Sequence, residues 1–188
     1  MTPELAESNK GNSVLDDLDE FLFIKSMNVY NAKITQHYGS QIALSARLGD
    51  GSTVWPNAVI GENVVTGKRC VIGSSAYIGK GSILGDDVHI QHGAFLPNNS
   101  ILGNRVFIGP NATLTDDRYP RSGNASYLAE PPKIASDASI GAGATVLPGI
   151  LIGRQALVGA GAVVTRHVAP NITVVGNPAK ELKSGRTD

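Results

Sequence analysis

Aliphatic side chains recur at every sixth residue over most of the chain, and this spacing constrains the fold more than any other feature. From Ile42 the series runs Leu48, Val54, Ile60, Thr66, Ile72, Ile78, Leu84, Ile90, Leu96, Leu102, Ile108 and Leu114, with Thr66 the single departure. Four residues after each stands a small or β-branched partner, such as Ala58, Val64, Cys70 and Ala76. The pattern stops after Leu114, resumes at Ile134 and runs to Val164, whose small partner is Val168, giving nineteen hexads. A period of six fits neither a helix nor the plain alternation of a strand, so each hexad reads as a short strand followed by a corner. The aliphatic and the small residue both point inward, and the third and fourth positions of the hexad turn the chain. The second of these turn positions should tolerate φ > 0. It is Gly, Asn or Asp in nine of the first thirteen hexads, including Gly51, Asn57, Asn63, Gly81, Gly93 and Asn111. Three hexads then close an 18-residue triangular coil, and coils stack through parallel strands.

Composition agrees with a thin, repetitive solenoid. With 22 glycines and only 5% aromatic residues, the chain lacks the bulk for an ordinary layered core. Sixteen basic and sixteen acidic residues cancel, which argues against nucleic acid or an anionic membrane as the main partner. The lone cysteine, Cys70, excludes an intrachain disulfide framework, and no signal peptide or long apolar run is evident. A soluble, cytoplasmic protein is the expectation.

Units such as "IGKGSI", "LGDDVH" and "IGAGAT" resemble the hexapeptide-repeat acyltransferases, and the resemblance covers residues 42 to about 183. It implies an all-β fold, a left-handed parallel β-helix with a protruding loop and short terminal helical segments. The expected division is an N-terminal extension (1–28), the β-helix (29–175) with its loop (115–133), and a C-terminal tail (176–188). Ser13 as a cap and the spacing of Val14, Leu18, Phe21 and Leu22 predict a short helix covering the bottom of the β-helix, although "FLFI" fits a strand equally.

About fourteen residues interrupt the repeat between Leu114 and Ile134. They cost chain entropy and add nothing to the core, and a loop of this length in a compact domain is functional or disordered. Tyr119, Tyr127 and Leu128 are too apolar for a solvated linker, and three prolines stiffen the segment. The run "VFIGPNATLTDDRYPR", with "IGAGATVLPGILIG", "VGAGAVVTRHV" and "VVGNPAK", is similar to the nucleotide-sugar N-acetyltransferases acting on 3-amino sugars linked to dTDP or UDP. Their loop begins Thr-Asn and ends Pro-Arg, positions held here by Thr115, Asp116, Pro120 and Arg121. Asp116 departs from the family's asparagine, and it is either a neutral orienting group or a charged one that takes a proton. Related O-acetyltransferases carry a histidine before the loop proline to activate a hydroxyl. Here that position is Tyr119, which favours an amine acceptor, since a neutral amine attacks a thioester without such help.

Counting in steps of 18 places Ser74, His92 and Pro110 on one edge. If the loop only enlarges a corner, Ala142 and Ala160 join them. The resemblance implies that Ala142 and Ala160 line an acetyl-CoA groove, and that Thr165, Arg166, Lys180 and Lys183 meet its phosphate and adenine end. Asp116, by the resemblance, and His92, by its place on this edge as base or sugar-contacting residue, are the candidate catalytic residues, with Arg118, Tyr119 and Arg121 as candidates for contacts with the nucleotide-linked amino sugar. His92 reads equally as an exposed turn residue. Too few histidines converge for a zinc site, so no metal is expected. Outward residues such as Val65, Tyr77, Phe95 and Phe107 predict a homotrimer of prisms with active sites in the clefts between them. Two other readings stay open: a sugar O-acetyltransferase with His92 as base, and a non-catalytic hexapeptide scaffold or sugar-nucleotide binding protein.

Overall fold

The computed structural model describes residues 33–182. They form a parallel β-helix of three-hexad coils, as the period of six dictates, with the left-handed sense that the family resemblance implied. Each strand is about two residues long, and the strands stack into three flat faces of nine, seven and five strands. The first face carries Val71–Ile72, His89–Ile90 and Phe107–Ile108, the second Tyr77–Ile78 and Phe95–Leu96, and the third Ile83–Leu84 and Ile101–Leu102. Among the described residues no helix is long and apolar enough to cross a membrane.

Period-two alternation decides which side chain enters the prism. In each pair from Thr53–Val54 to Val163–Val164 the second residue is buried and the first faces out, so that Leu96, Leu102, Ile108 and Ile140 are fully enclosed. Each such Leu or Ile contributes ~1.5–3 kcal/mol through burial. The small partners leave room for these ladders, and Ala94, Val106 and Ala112 are also buried. Buried Ser82 and Ser100 donate their hydroxyls to Gly79 and Pro97 carbonyls at 2.7 Å, so they enter the core without an unpaired polar group.

Every corner from 51 to 111, in steps of six, has φ between 54° and 75°. Glycine, asparagine and aspartate were the residues expected there, yet Arg69, Ser75 and Arg105 also adopt φ of 56°, 58° and 55°. Coil closure imposes this conformation whatever the residue. Arg69 and Arg105 offset some of the strain through forked contacts to Asp87 at 2.6 Å and to Asp137 at 2.6 and 2.8 Å, each one coil on.

The loop enlarges one corner and leaves the stack intact. Phe107 pairs with Ser139, 32 residues on, where neighbouring coils such as Val71 and His89 pair at 18, so fourteen residues are inserted. They leave after Leu114 on the second face and return at Lys133 on the third.

Two features differ from the sequence expectation. The last coil is shorter, since Leu157 pairs with Thr173 and Ile152 bridges Val168, each 16 residues apart. Val168 therefore lies beside Ile152 in the strand register and not above Ile150, because the corner 165–167 has lost two residues. His167 Nδ1 compensates by accepting the Leu151 N–H at 3.0 Å. At the C-terminal end, where helical structure was expected, Thr173–Val175 pairs antiparallel with Lys180–Glu181 to form a hairpin. The predicted helix over residues 13–24 lies outside the described residues, as does Lys183.

Candidate active site

The edge between the first and second faces is the column that the spacing predicts. Gly93, Asn111, Gly143 and Gly161 donate their N–H groups to the carbonyls of Ser74, His92, Pro110 and Ala142 at 3.0, 2.9, 2.8 and 2.8 Å, coil upon coil. Glycine before all of these corners except that of His92, which follows Gln91, permits this approach: a Cβ on Gly109 would lie 2.6 Å from Ala142 N, and one on Gly141 2.5 Å from Ala160 N.

The character of this edge changes along its length. At the third position of a hexad, just before the left-handed residue, the N–H can be capped by a side chain one coil on, as Asp86 Oδ1 caps Lys68 and Asn104 Oδ1 caps Asp86, both at 2.8 Å. His92 does the same for Ser74, its Nδ1 accepting the N–H at 3.0 Å. That bond leaves the proton of the neutral ring on Nε2, so exposed His92 presents a donor to solvent. Above it the caps end. Pro110, Ala142 and Ala160 carry no acceptor, and the N–H groups of His92, Ala142 and Ala160 have no acceptor among the described residues. Ala142, Gly143, Ala160 and Gly161 are all exposed, and nothing lies within 4 Å of a Cβ built on either glycine. The upper half of the edge is a bare strip with open amide donors.

The loop occupies the next corner, between the second and third faces. Its base is held by Thr115, whose N–H and Oγ1 both donate to the Val146 carbonyl at 3.0 Å. Arg118 ties it to the next coil, donating to Glu130 Oε2 at 3.3 and 3.1 Å and to the Pro148 carbonyl at 3.0 Å. Arg118, expected to contact substrate, makes these contacts within its own chain and remains exposed. Asp116, Arg121 and Tyr127 share an open depression with Asp117, Gly123, Asn124 and Ala125. The Tyr127 hydroxyl donates to Asp116 Oδ2 at 2.7 Å, and this bond pushes the phenol up to about 12. The Arg121 guanidinium has no partner among the described residues, and Tyr119 is largely exposed. Asp116 and His92 are not brought together within one chain, because the face bearing Phe95 separates their corners.

Arg166 and Lys180 come together in a depression on the last coil, with Glu181 and an apolar floor of Val164, Ile172 and Val174. Thr165 is exposed beside them. Among the described residues no three metal-ligating side chains converge, and His89 and His92 stand on a strand and at a corner of one coil. No spacing or motif signals that Tyr127 and Glu130 organise the loop, because both contacts depend on how residues 116–130 fold back.

Stacked hexapeptide coils with a bare, amide-lined edge and one enlarged corner define a hexapeptide-repeat β-helix. The family described as bacterial transferase hexapeptide (six repeats) matches residues 45–80, 81–116 and 131–166, more than half of the chain, and the protein belongs to it. A galactoside O-acetyltransferase of Lactococcus lactis is 35% identical over 82 residues, 41% of this chain and 39% of that protein. A 2,3,4,5-tetrahydropyridine-2,6-dicarboxylate N-acetyltransferase of Staphylococcus aureus is 40% identical over 81 residues, 43% and 31% of the two chains. The chain thus spans about two fifths or less of the length of these relatives. Among solved structures, the acetyltransferase domain of PglB from Neisseria gonorrhoeae, in complex with acetyl coenzyme A, superposes with a TM-score of 0.50 at 25% identity, covering 79% of this chain and 57% of that one.

Proposed function

We propose that this protein is an acetyl-CoA-dependent N-acetyltransferase that acts on the amino group of a nucleotide-linked amino sugar. The observation that carries the reading is the bare strip on the Ala142 and Ala160 edge, whose open N–H groups suit the carbonyls of a pantetheine chain. Relatives named as acetyltransferases, and a similar domain that binds acetyl coenzyme A, support the same cofactor. Arg166, Lys180 and Thr165 on the last coil, with Lys183 beyond the described residues, suit its phosphates.

Acetyl-CoA supplies the acetyl group as a thioester. The acceptor nitrogen attacks the carbonyl carbon, the N–C bond forms, and the C–S bond breaks. One proton leaves the nitrogen and the departing thiolate takes one up. Asp116 orients the amine or receives its proton. His92, with its Nε2 proton facing outward, suits stabilisation of the carbonyl oxygen as negative charge develops. Arg121 and Tyr119 serve the diphosphate and sugar.

Because Asp116 and His92 lie on different corners, the site requires the loop of a second copy, so a homotrimer is part of the proposal. The exposed Tyr77 and Phe95 rings, stacked at 5.2 Å on the second face, give that assembly apolar surface to bury. A cytoplasmic location belongs to the same reading.

Release of free CoA, measured against a panel of dTDP- and UDP-amino sugars and the corresponding hydroxyl sugars, tests the acceptor class. His92→Ala lowers turnover by a similar factor at every pH if His92 only donates to the carbonyl oxygen during amine acylation, and abolishes it if His92 is the base for a hydroxyl. No heat of binding at millimolar acetyl-CoA would leave only a scaffold role.

A further inference from the structure

One contact in the loop is required neither by the repeat nor by the reaction as drawn. Tyr127 follows Asp116 by eleven residues, yet its hydroxyl reaches Asp116 Oδ2 at 2.7 Å. Local turns deliver it there. Asn124 Oδ1 accepts the Ser126 N–H at 3.0 Å and the Asn124 carbonyl accepts the Tyr127 N–H at 3.2 Å, which reverses the chain just before the ring. Glu130 N–H then donates to the Asp116 carbonyl at 2.8 Å and closes the segment on itself. The Arg118 and Glu130 strut fixes this closed segment to the corner at Pro148.

We propose that Tyr127 is a positioning residue for Asp116 and sets the preference of the site for an amine over a hydroxyl acceptor, an inference that rests on Asp116 facing the acceptor as read above. A carboxylate accepts only, through two equivalent oxygens, and on an open loop it would rotate between partners. The phenol occupies Oδ2 and leaves Oδ1 for the depression that Asp117, Arg121 and Asn124 complete. An asparagine offers a carbonyl acceptor and two N–H donors without such help. An aspartate can replace it only if one oxygen is engaged and the other is aimed. The aimed oxygen is anionic, so it favours an acceptor that arrives as an ammonium, which pairs with it by charge and gives up a proton to become the attacking amine, over a neutral hydroxyl. The groups facing the phenol are the Asp116 and Asp117 carboxylates and, across the depression, Arg121. Its raised pKa of about 12 agrees with the geometry, since Asp116 is the leading cause.

The test is a double-mutant cycle of Tyr127→Phe and Asp116→Asn in the full chain, read in two ways. With an amino-sugar acceptor, Tyr127→Phe lowers acceptor kcat/KM about tenfold, the weight of one hydrogen bond to a charged group, and leaves the KM for acetyl-CoA unchanged. In the Asp116→Asn background the same change alters kcat/KM less than about twofold, because the amide needs no phenol. Independently of turnover, tyrosine Cζ NMR follows the Tyr127 titration, which moves from about 12 in the parent towards the ordinary value near ~10 in Asp116→Asn. Equal losses in both backgrounds, or a phenol titration that Asp116→Asn does not move, overturn the inference. A parent enzyme that acetylates hydroxyls alone overturns the amine reading itself, and is recognised because the phenol titration still moves.

Discussion

Replacing Ala160 by asparagine should close the strip with a device that the protein already uses elsewhere. At the same corner position Asn104 Oδ1 caps Asp86 N–H and Asp86 Oδ1 caps Lys68 N–H, both at 2.8 Å, whereas Ala160 leaves Ala142 N–H open. The Ala160→Asn side chain would supply the missing acceptor one coil above Ala142. The added hydrogen bond contributes ~0.5–1.5 kcal/mol, so the fold should be unchanged or slightly stabilised. Acetyl-CoA would lose the Ala142 donor and meet a side chain where the strip is now bare. Loss of one hydrogen bond together with the steric displacement amounts to ~1.5–3 kcal/mol, roughly tenfold to a hundredfold in Kd. Isothermal calorimetry with acetyl-CoA and urea unfolding of the same preparation measure both quantities. Binding within about twofold of the parent, with the unfolding midpoint maintained, would refute the assignment of the strip.

Gly141→Ala should destabilise the coil it closes by ~1–3 kcal/mol in urea unfolding, because its Cβ would sit 2.5 Å from the Ala160 backbone nitrogen, which cannot move without opening the stack. Ser75→Gly should raise stability by about 0.5–1 kcal/mol, since relief of the left-handed strain at φ 58° exceeds the entropy of the added glycine. Cys70 is buried and its thiol is pushed up to about 11 by burial, so it should resist a thiol-specific chromogenic reagent at pH 8 and react fully on unfolding.

Much of this protein is legible in its sequence because a hexapeptide coil is a local code. The aliphatic residue, its small partner and the turn residue of each hexad lie within six positions, and coils meet only their neighbours. Hence Ile108, Ala112 and Asn111 could be assigned to core, core and corner without coordinates. The same arithmetic carried the edge through the loop, from Pro110 to Ala142 and Ala160, because an insertion at a corner leaves the register of the strands unchanged. Where local preference and closure geometry disagreed, closure decided, as at Arg69 and Arg105, whose left-handed backbones no propensity would suggest. Only the tertiary structure showed that Arg118 donates to the Pro148 carbonyl, that His92 Nδ1 is occupied by Ser74, and that Tyr127 engages Asp116. Those contacts join residues through a loop without a repeat, or depend on which ring nitrogen faces a backbone amide. A period fixes where a side chain stands on the prism. Which hydrogen-bonding partner it meets there was decided by the folded chain.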